Sequence, residues 1–183
     1  MGRGILCGRL DVITARIDWI LRRWPVFAFV ISAAMLGIAH AFETFGHLPP
    51  CHLCLQQREV YWAAIAGSAP AVPLQLFRRA PPRLRIVSFV LAGVFAFGAY
   101  LAGFHAGAEW KWWPAPASCT SGGPGVSTAA IKALLSGHAV ALPPCDRPAW
   151  IFLRLSMAGW NFLVSVLLVL ASLAAALRRE TTR

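Results

Sequence analysis

Four long apolar stretches, separated by short segments that carry most of the arginines, constrain this chain more than any other feature. They run from about Pro25 to Phe45, over residues 55–77, from Ile86 to Phe104 and from about Phe152 to Leu177. A helix of about 20 apolar residues crosses the hydrocarbon core of a bilayer. Lipid offers the backbone no hydrogen-bond partners, so stretches of this kind fold as helices. The fold expected is therefore all-α, a four-helix transmembrane bundle in a single domain. Composition agrees: of 183 residues, 58% are hydrophobic and 13% charged, against about a quarter charged in an ordinary soluble domain. Within the second stretch, Glu59 lies near one end, and Pro70 and Pro73 are expected to bend or break the helix.

The basic residues give the orientation. Arg3, Arg9, Arg16, Arg22 and Arg23 precede the first span. Arg78, Arg79, Arg83 and Arg85 join spans two and three, and Arg178, Arg179 and Arg183 follow the fourth. These are twelve of the seventeen basic residues, and all fall on one side. Lys111, Lys132 and Arg147 fall on the other, with Arg58 and Arg154 at span edges. Basic loops stay in the cytoplasm, so both termini are expected inside and the loops over about 46–54 and 105–151 outside. The net charge of +10 is thus read as topology, with lipid as the partner and no role for nucleic acid. Ala39-His40-Ala41 resembles a signal-peptidase site, but the apolar run continues through Phe42 and Phe45, which favours an uncleaved span.

Residues 1–24 carry Leu6, Leu10, Ile13, Ile17, Ile20 and Trp24 at spacings of three or four, with Arg9, Arg16 and Arg23 on another face. That pattern predicts an amphipathic helix lying on the inner membrane surface. In the second outer loop, Trp110, Trp112 and Trp113 suit the headgroup level. A Gly-rich run around Cys119 is expected to be mobile and exposed, and Val126–Leu142 to form a short amphipathic helix. His40 reads as a buried packing residue of span one.

The chemistry lies in the cysteines. Cys51 and Cys54 have two residues between them, near the predicted N-terminus of span two, where the helix dipole favours a thiolate. Arg58 follows Cys54 by one turn, on the same face. It is placed to lower the thiol pKa, to hold an anionic electron acceptor or to snorkel to the headgroups. Cys119 and Cys145 lie 26 positions apart in the second outer loop; a bridge between them is worth about 3.5 kcal/mol in the chain-entropy model. Outside the cytoplasm such thiols oxidise, whereas Cys7 sits on the reducing side as a free thiol. His47, Cys51, His52 and Cys54 could be read as a zinc site, but His52 between the two cysteines makes shared ligation awkward. The haem-attachment pattern fails because Leu55 follows Cys54. His105 closes span three on the outer side.

These residues resemble the bacterial disulfide bond formation protein B (DsbB) family, inner-membrane oxidases of the periplasmic thiol oxidant DsbA. The resemblance covers the chain from the first span onward. It rests on Cys51-His52-Leu53-Cys54 with Arg58, on the two loop cysteines, on His105-Ala106-Gly107-Ala108-Glu109-Trp110, and on the segment from Cys145-Asp146 through Phe152-Leu153-Arg154-Leu155-Ser156-Met157. It implies a bound quinone, ubiquinone in preference to menaquinone, and no metal. It further implies disulfides Cys51–Cys54 and Cys119–Cys145, contact of the quinone with Cys54, and Arg58 on a quinone oxygen with help from His105. Electrons would pass from a DsbA-like thioredoxin-fold partner to the loop pair, then to Cys51–Cys54, then to quinone. Arg154 departs from the pattern, standing where glycine is usual, and the N-terminal extension is longer than usual. Two rival readings are a reductase of the vitamin K epoxide type, in which the close cysteine pair falls late in the chain, and a membrane scaffold with two structural disulfides.

Overall fold

The computed structural model describes residues 2–77, 84–116, 119 and 143–178, the first ten of these by backbone alone. The inner turn with Arg78, Arg79 and Arg83, the glycine-rich run after Cys119, the helix expected over Val126–Leu142, and Arg179 and Arg183 lie outside the described residues.

Helix α1 (Gly2–Arg22) is followed after one turn residue by α2 (Trp24–Thr44). The break falls where Pro25 occupies the opening turn of α2, a position in which its missing N–H costs nothing. Trp24, grouped above with the N-terminal segment, therefore belongs to α2. It is buried, and its indole Nε1 donates to Ser172 Oγ at 2.8 Å. Helix α3 (His52–Ser68) stops before Pro70, and a short α4 (Ala71–Leu76) takes up the rest of the second apolar stretch. Helix α5 (Leu84–Glu109) outruns the expected third span by about a turn on its outer side.

The fourth span starts later than its apolar run suggests. Ile151–Phe152 (β1) and Leu155–Ser156 (β2) pair antiparallel in a small hairpin, and the helix α6 covers Met157–Leu177. Ser156 caps α6, its Oγ accepting from Gly159 N–H at 3.1 Å. The two hairpin turn residues, Leu153 and Arg154, have φ of 50° and 66°. Positive φ at both central residues marks the tight turn that matches strand twist and favours glycine. The glycine expected here from the resemblance would adopt this backbone without strain, and Arg154 bears the strain.

Among the described residues, three helices, α2, α5 and α6, are long and apolar enough to cross a membrane. Helix α3 is shorter and carries Gln56, Gln57, Arg58 and Glu59 in its outer half. The core threads all four, with Trp24, Leu36, Tyr61, Leu91, Phe95 and Leu168 among its buried members. Small residues let the helices approach: a Cβ on Gly98 of α5 would lie 2.9 Å from Val60 of α3, the kind of contact on which membrane helices pack. His40, read above as buried, is exposed, 3.8 Å from Glu43. The apolar residues Ile13, Ile17, Trp19 and Ile20 of α1 are exposed as well.

Candidate functional site

The N-terminal end of α3 and the C-terminal end of α5 carry the site. Cys51 is the N-cap of α3, and its Sγ accepts from Cys54 N–H at 3.2 Å. A sulfur in this position does for the helix what a serine oxygen does at other N-termini. Cys51 and Cys54, expected as a disulfide, are instead both free thiols in this structure, the reduced form of such a pair. The loop cysteines are joined, with Cα atoms 5.2 Å apart. Cys119 was expected exposed, but it is only 5% exposed and Cys145 1%. Both lie with Cys51 and Leu53 in one buried cluster edged by Cys54, Phe104 and Ala115. Two pairs distant in sequence thus share one small volume.

Local bonds hold the loop's two ends here. Cys145 N–H donates to Cys119 O at 3.3 Å. Lys111 Nζ donates to both the carbonyl and the carboxylate of Asp146, at 2.8 and 2.6 Å, and so keeps that carboxyl below its usual pKa. Trp113 folds back over Gly107, where a Cβ would collide with the indole, and its Nε1 donates to Phe104 O. Only glycine at 107 admits that ring.

The two thiols differ. The hydrogen bond with Cys54, then burial, raise the pKa of Cys51, whereas the same bond lowers that of Cys54. Cys54 is therefore the stronger candidate for a standing thiolate. The charge of Arg58 also lowers the pKa of Cys54, but that charge is shared with other partners. Its guanidinium bonds Glu43 Oε2 at 2.5 Å and the Ala39 carbonyl at 3.2 Å. Its charge is largely answered by Glu43 of α2, a partner that sequence reading missed.

His105 reaches the cysteines from α5. Its Nε2 lies 3.7 Å from Cys51 Sγ and 3.7 Å from Glu109 Oε1, and Gln57 bonds its Nδ1 at 2.9 Å. The donor atoms of Cys51, Cys54 and His105 fall within 4.8 Å of one another, close enough for a soft metal ion if Nε2 were free of its proton. His52, considered above as a ligand, instead faces Gln56 at 3.4 Å. Gln57, Tyr61 and Asn161 also escaped sequence reading. Asn161 left a signal: an amide in an otherwise apolar span is rare and marks function.

Between α2, α3 and α6 lies a cavity of about 400 Å³. Cys54, Gln57, Arg58, Tyr61, His105 and Asn161 supply its polar lining; Phe42, Trp150, Phe152 and Met35 are among the apolar residues that make up most of the rest. Trp150 stacks on Phe152 and packs against Phe42, forming one aromatic wall.

Membrane helices carrying two cysteine pairs beside an apolar cavity define a membrane protein of thiol–disulfide chemistry. The family profile described as "Disulfide bond formation protein DsbB" matches residues 21–175, and the chain belongs to the DsbB family. Two relatives, both named Disulfide bond formation protein B, are similar along most of their length. The one from Albidiferax ferrireducens is 31% identical over 177 residues, covering 94% of this chain and 97% of the relative. The one from Methylococcus capsulatus is 32% identical over 146 residues, covering 74% and 81%. No solved structure matches the chain.

Proposed function

We propose that this protein is a quinone-dependent thiol oxidase of the bacterial inner membrane that reoxidises a DsbA-type thioredoxin-fold protein in the periplasm. Both termini then lie in the cytoplasm, α3 with α4 makes the second crossing, and α1 rests on the inner membrane surface. One observation carries the reading: Cys54 lines the apolar cavity while its neighbour Cys51 packs against the Cys119–Cys145 disulfide. A thiol pair so placed stands between a protein-facing disulfide and a lipid-soluble acceptor.

The cavity suits a quinone headgroup. Its size and aromatic wall fit a flat ring, and Arg58, with N–H groups beyond those bonded to Glu43 and Ala39, offers donors to a ring oxygen. Arg58 would hold the headgroup, with Cys54 against it and the His105 ring in the cavity wall. When bound, a quinone supplies a two-electron, two-proton sink. The chain's own part is thiol exchange. The partner's thiolate attacks Cys119, releasing Cys145 as a thiolate. Cys145 attacks Cys51, and the Cys51–Cys54 bond breaks with its electron pair on Cys54. The lowered pKa of Cys54 makes it the better leaving group of that pair.

The test uses the purified protein in detergent with a reduced thioredoxin-fold dithiol protein and either ubiquinone or menaquinone. Stoichiometric loss of the partner's thiols and of quinone absorbance is expected. A protein that binds no quinone and oxidises no dithiol, though its Cys119–Cys145 bond is intact, fits the scaffold reading instead.

A further inference from the structure

The amide of Gln57 is paired across to α6 and back to its own helix. Tyr61 O–H donates to Asn161 Oδ1, with Ser165 Oγ 3.4 Å from the same hydroxyl, and Asn161 Nδ2 donates to Gln57 Oε1 at 2.5 Å. Gln57 then has only its NH₂ left for His105, and it meets Nδ1 at 2.9 Å. An NH₂ group can only donate, so Nδ1 is the acceptor and the proton of the neutral ring sits on Nε2. That nitrogen faces Cys51 Sγ, with Glu109 Oε1 as a second acceptor at the same 3.7 Å. Tyr61, Gln57, His105 and Asn161 are each less than 10% exposed, and all four lie on the wall of the cavity. Which ring nitrogen of a histidine carries the proton is set by the hydrogen bond that the other nitrogen makes.

We propose that Tyr61, Asn161 and Gln57 are positioning residues that lock His105 as its Nε2–H tautomer, so that His105 donates a hydrogen bond to Cys51 whenever that sulfur carries negative charge. This rests on the redox role proposed above for Cys51 and deepens it. The step served is release of Cys51 from its mixed disulfide with Cys145. Once the partner's second thiolate has closed the partner's own disulfide and released Cys119 as a thiolate, Cys119 attacks Cys145 Sγ; the Cys145–Cys51 bond breaks, and the electron pair leaves on Cys51 Sγ. Cys54 N–H at 3.2 Å and His105 Nε2–H at 3.7 Å are then its two donors. A leaving thiolate so supported departs faster. The same lock makes Nε2 a poor metal ligand, because a nitrogen carrying a proton has no lone pair to give. The titratable groups facing Cys51 are Cys54 from α3 and His105 and Glu109 from α5; the Cys119–Cys145 disulfide does not titrate.

Two readouts need neither quinone nor partner. In protein labelled with ¹⁵N-histidine, long-range proton–nitrogen spectra report which ring nitrogen of His105 is protonated, with His105→Asn giving the assignment. The Nε2–H form is expected in the wild type and a mixture of tautomers in Gln57→Met, with a smaller loss in Tyr61→Phe. In a Cys7→Ser/Cys54→Ser background, far-ultraviolet thiolate absorbance follows Cys51 alone. Adding Gln57→Met there should raise its pKa by about one unit, a tenfold loss of thiolate below the pKa. An Nδ1–H tautomer in the wild type, or Gln57→Met leaving both tautomer and titration unchanged in folded protein, overturns the proposal. If the lock is present in a protein that oxidises no dithiol, the redox role falls and the positioning stands.

Discussion

The two cysteine pairs reach the same buried cluster by opposite routes. Cys51 and Cys54 are placed by three residues of local structure: one caps α3 and the other sits in its first turn, joined by an N–H···S bond. Cys119 and Cys145 are placed by the bundle, since nothing local brings residues 26 apart together. They are held by contacts at the loop's two ends. The inner pair is thus rigid and electrostatically asymmetric, while the outer pair is as mobile as those end contacts allow. That division suits a relay in which one pair must keep its geometry against an acceptor and the other must reach a protein.

The largest effect should come from breaking the pairs one at a time. Cys54→Ser is expected to abolish quinone reduction by any thiol donor. Cys119→Ser is expected to abolish oxidation of the protein partner while leaving quinone reduction by a small dithiol, which can reach the inner pair directly. Parallel assays with the two donors read this out. Equal loss with both donors in Cys119→Ser would remove the distinction between the pairs.

Next comes the inner pair's cation. Arg58→Met should raise the apparent KM for quinone about 10–100-fold, since a hydrogen bond to a charged group is worth about 1.5–3 kcal/mol. It also strands Glu43, a partly buried carboxylate. Adding Glu43→Gln removes that second injury and should restore thermal stability in detergent without restoring KM. If the double variant also recovers KM, Arg58 serves only to answer Glu43.

How much of this could be read from the sequence follows the same division. The spans, the thiol pair and the proximity of Arg58 depend on hydrophobic runs and spacings of three or four residues, which a sequence displays. The proline break after Ser68 was legible for the same reason. Glu43 opposite Arg58, Gln57 on His105, and Asn161 under Tyr61 are choices of partner between helices, and helix packing decides them. Cys119 read as exposed because glycine and proline surround it; its burial depends on α5 and the segment at 143–145 closing over it. The hairpin at 151–156 hid inside an apolar run, because two-residue strands leave no periodicity.

That hairpin offers a stability test on the inner pair's side, since Phe152 lines the cavity. Arg154 holds φ 66°, and Arg154→Gly should stabilise the protein by about 1 kcal/mol by relieving the left-handed backbone. The check is the thermal unfolding midpoint in detergent. If Arg154 instead contributes charge to the cavity, the same variant would weaken quinone binding.

The smallest effect expected is on the outer pair's tether. Lys111 and Asp146 are exposed, and an exposed ion pair contributes little to stability. Lys111→Met should therefore cost little stability, yet it frees the segment that carries Cys145. Reaching Cys119, only 5% exposed, requires that segment to move, so the partner dithiol should reduce the Cys119–Cys145 bond faster, up to about fivefold. Because Lys111 lowers the pKa of Asp146, the tether's contribution is present above the ordinary carboxylate pKa of about 3.9. It is lost as pH falls through the lowered folded value, and added salt screens it at neutral pH. Partner-driven reduction in the wild type should accordingly quicken with salt, and the Lys111→Met variant should lose that dependence. A rate that slows in Lys111→Met would mean that the tether presents Cys119 to the partner rather than covering it.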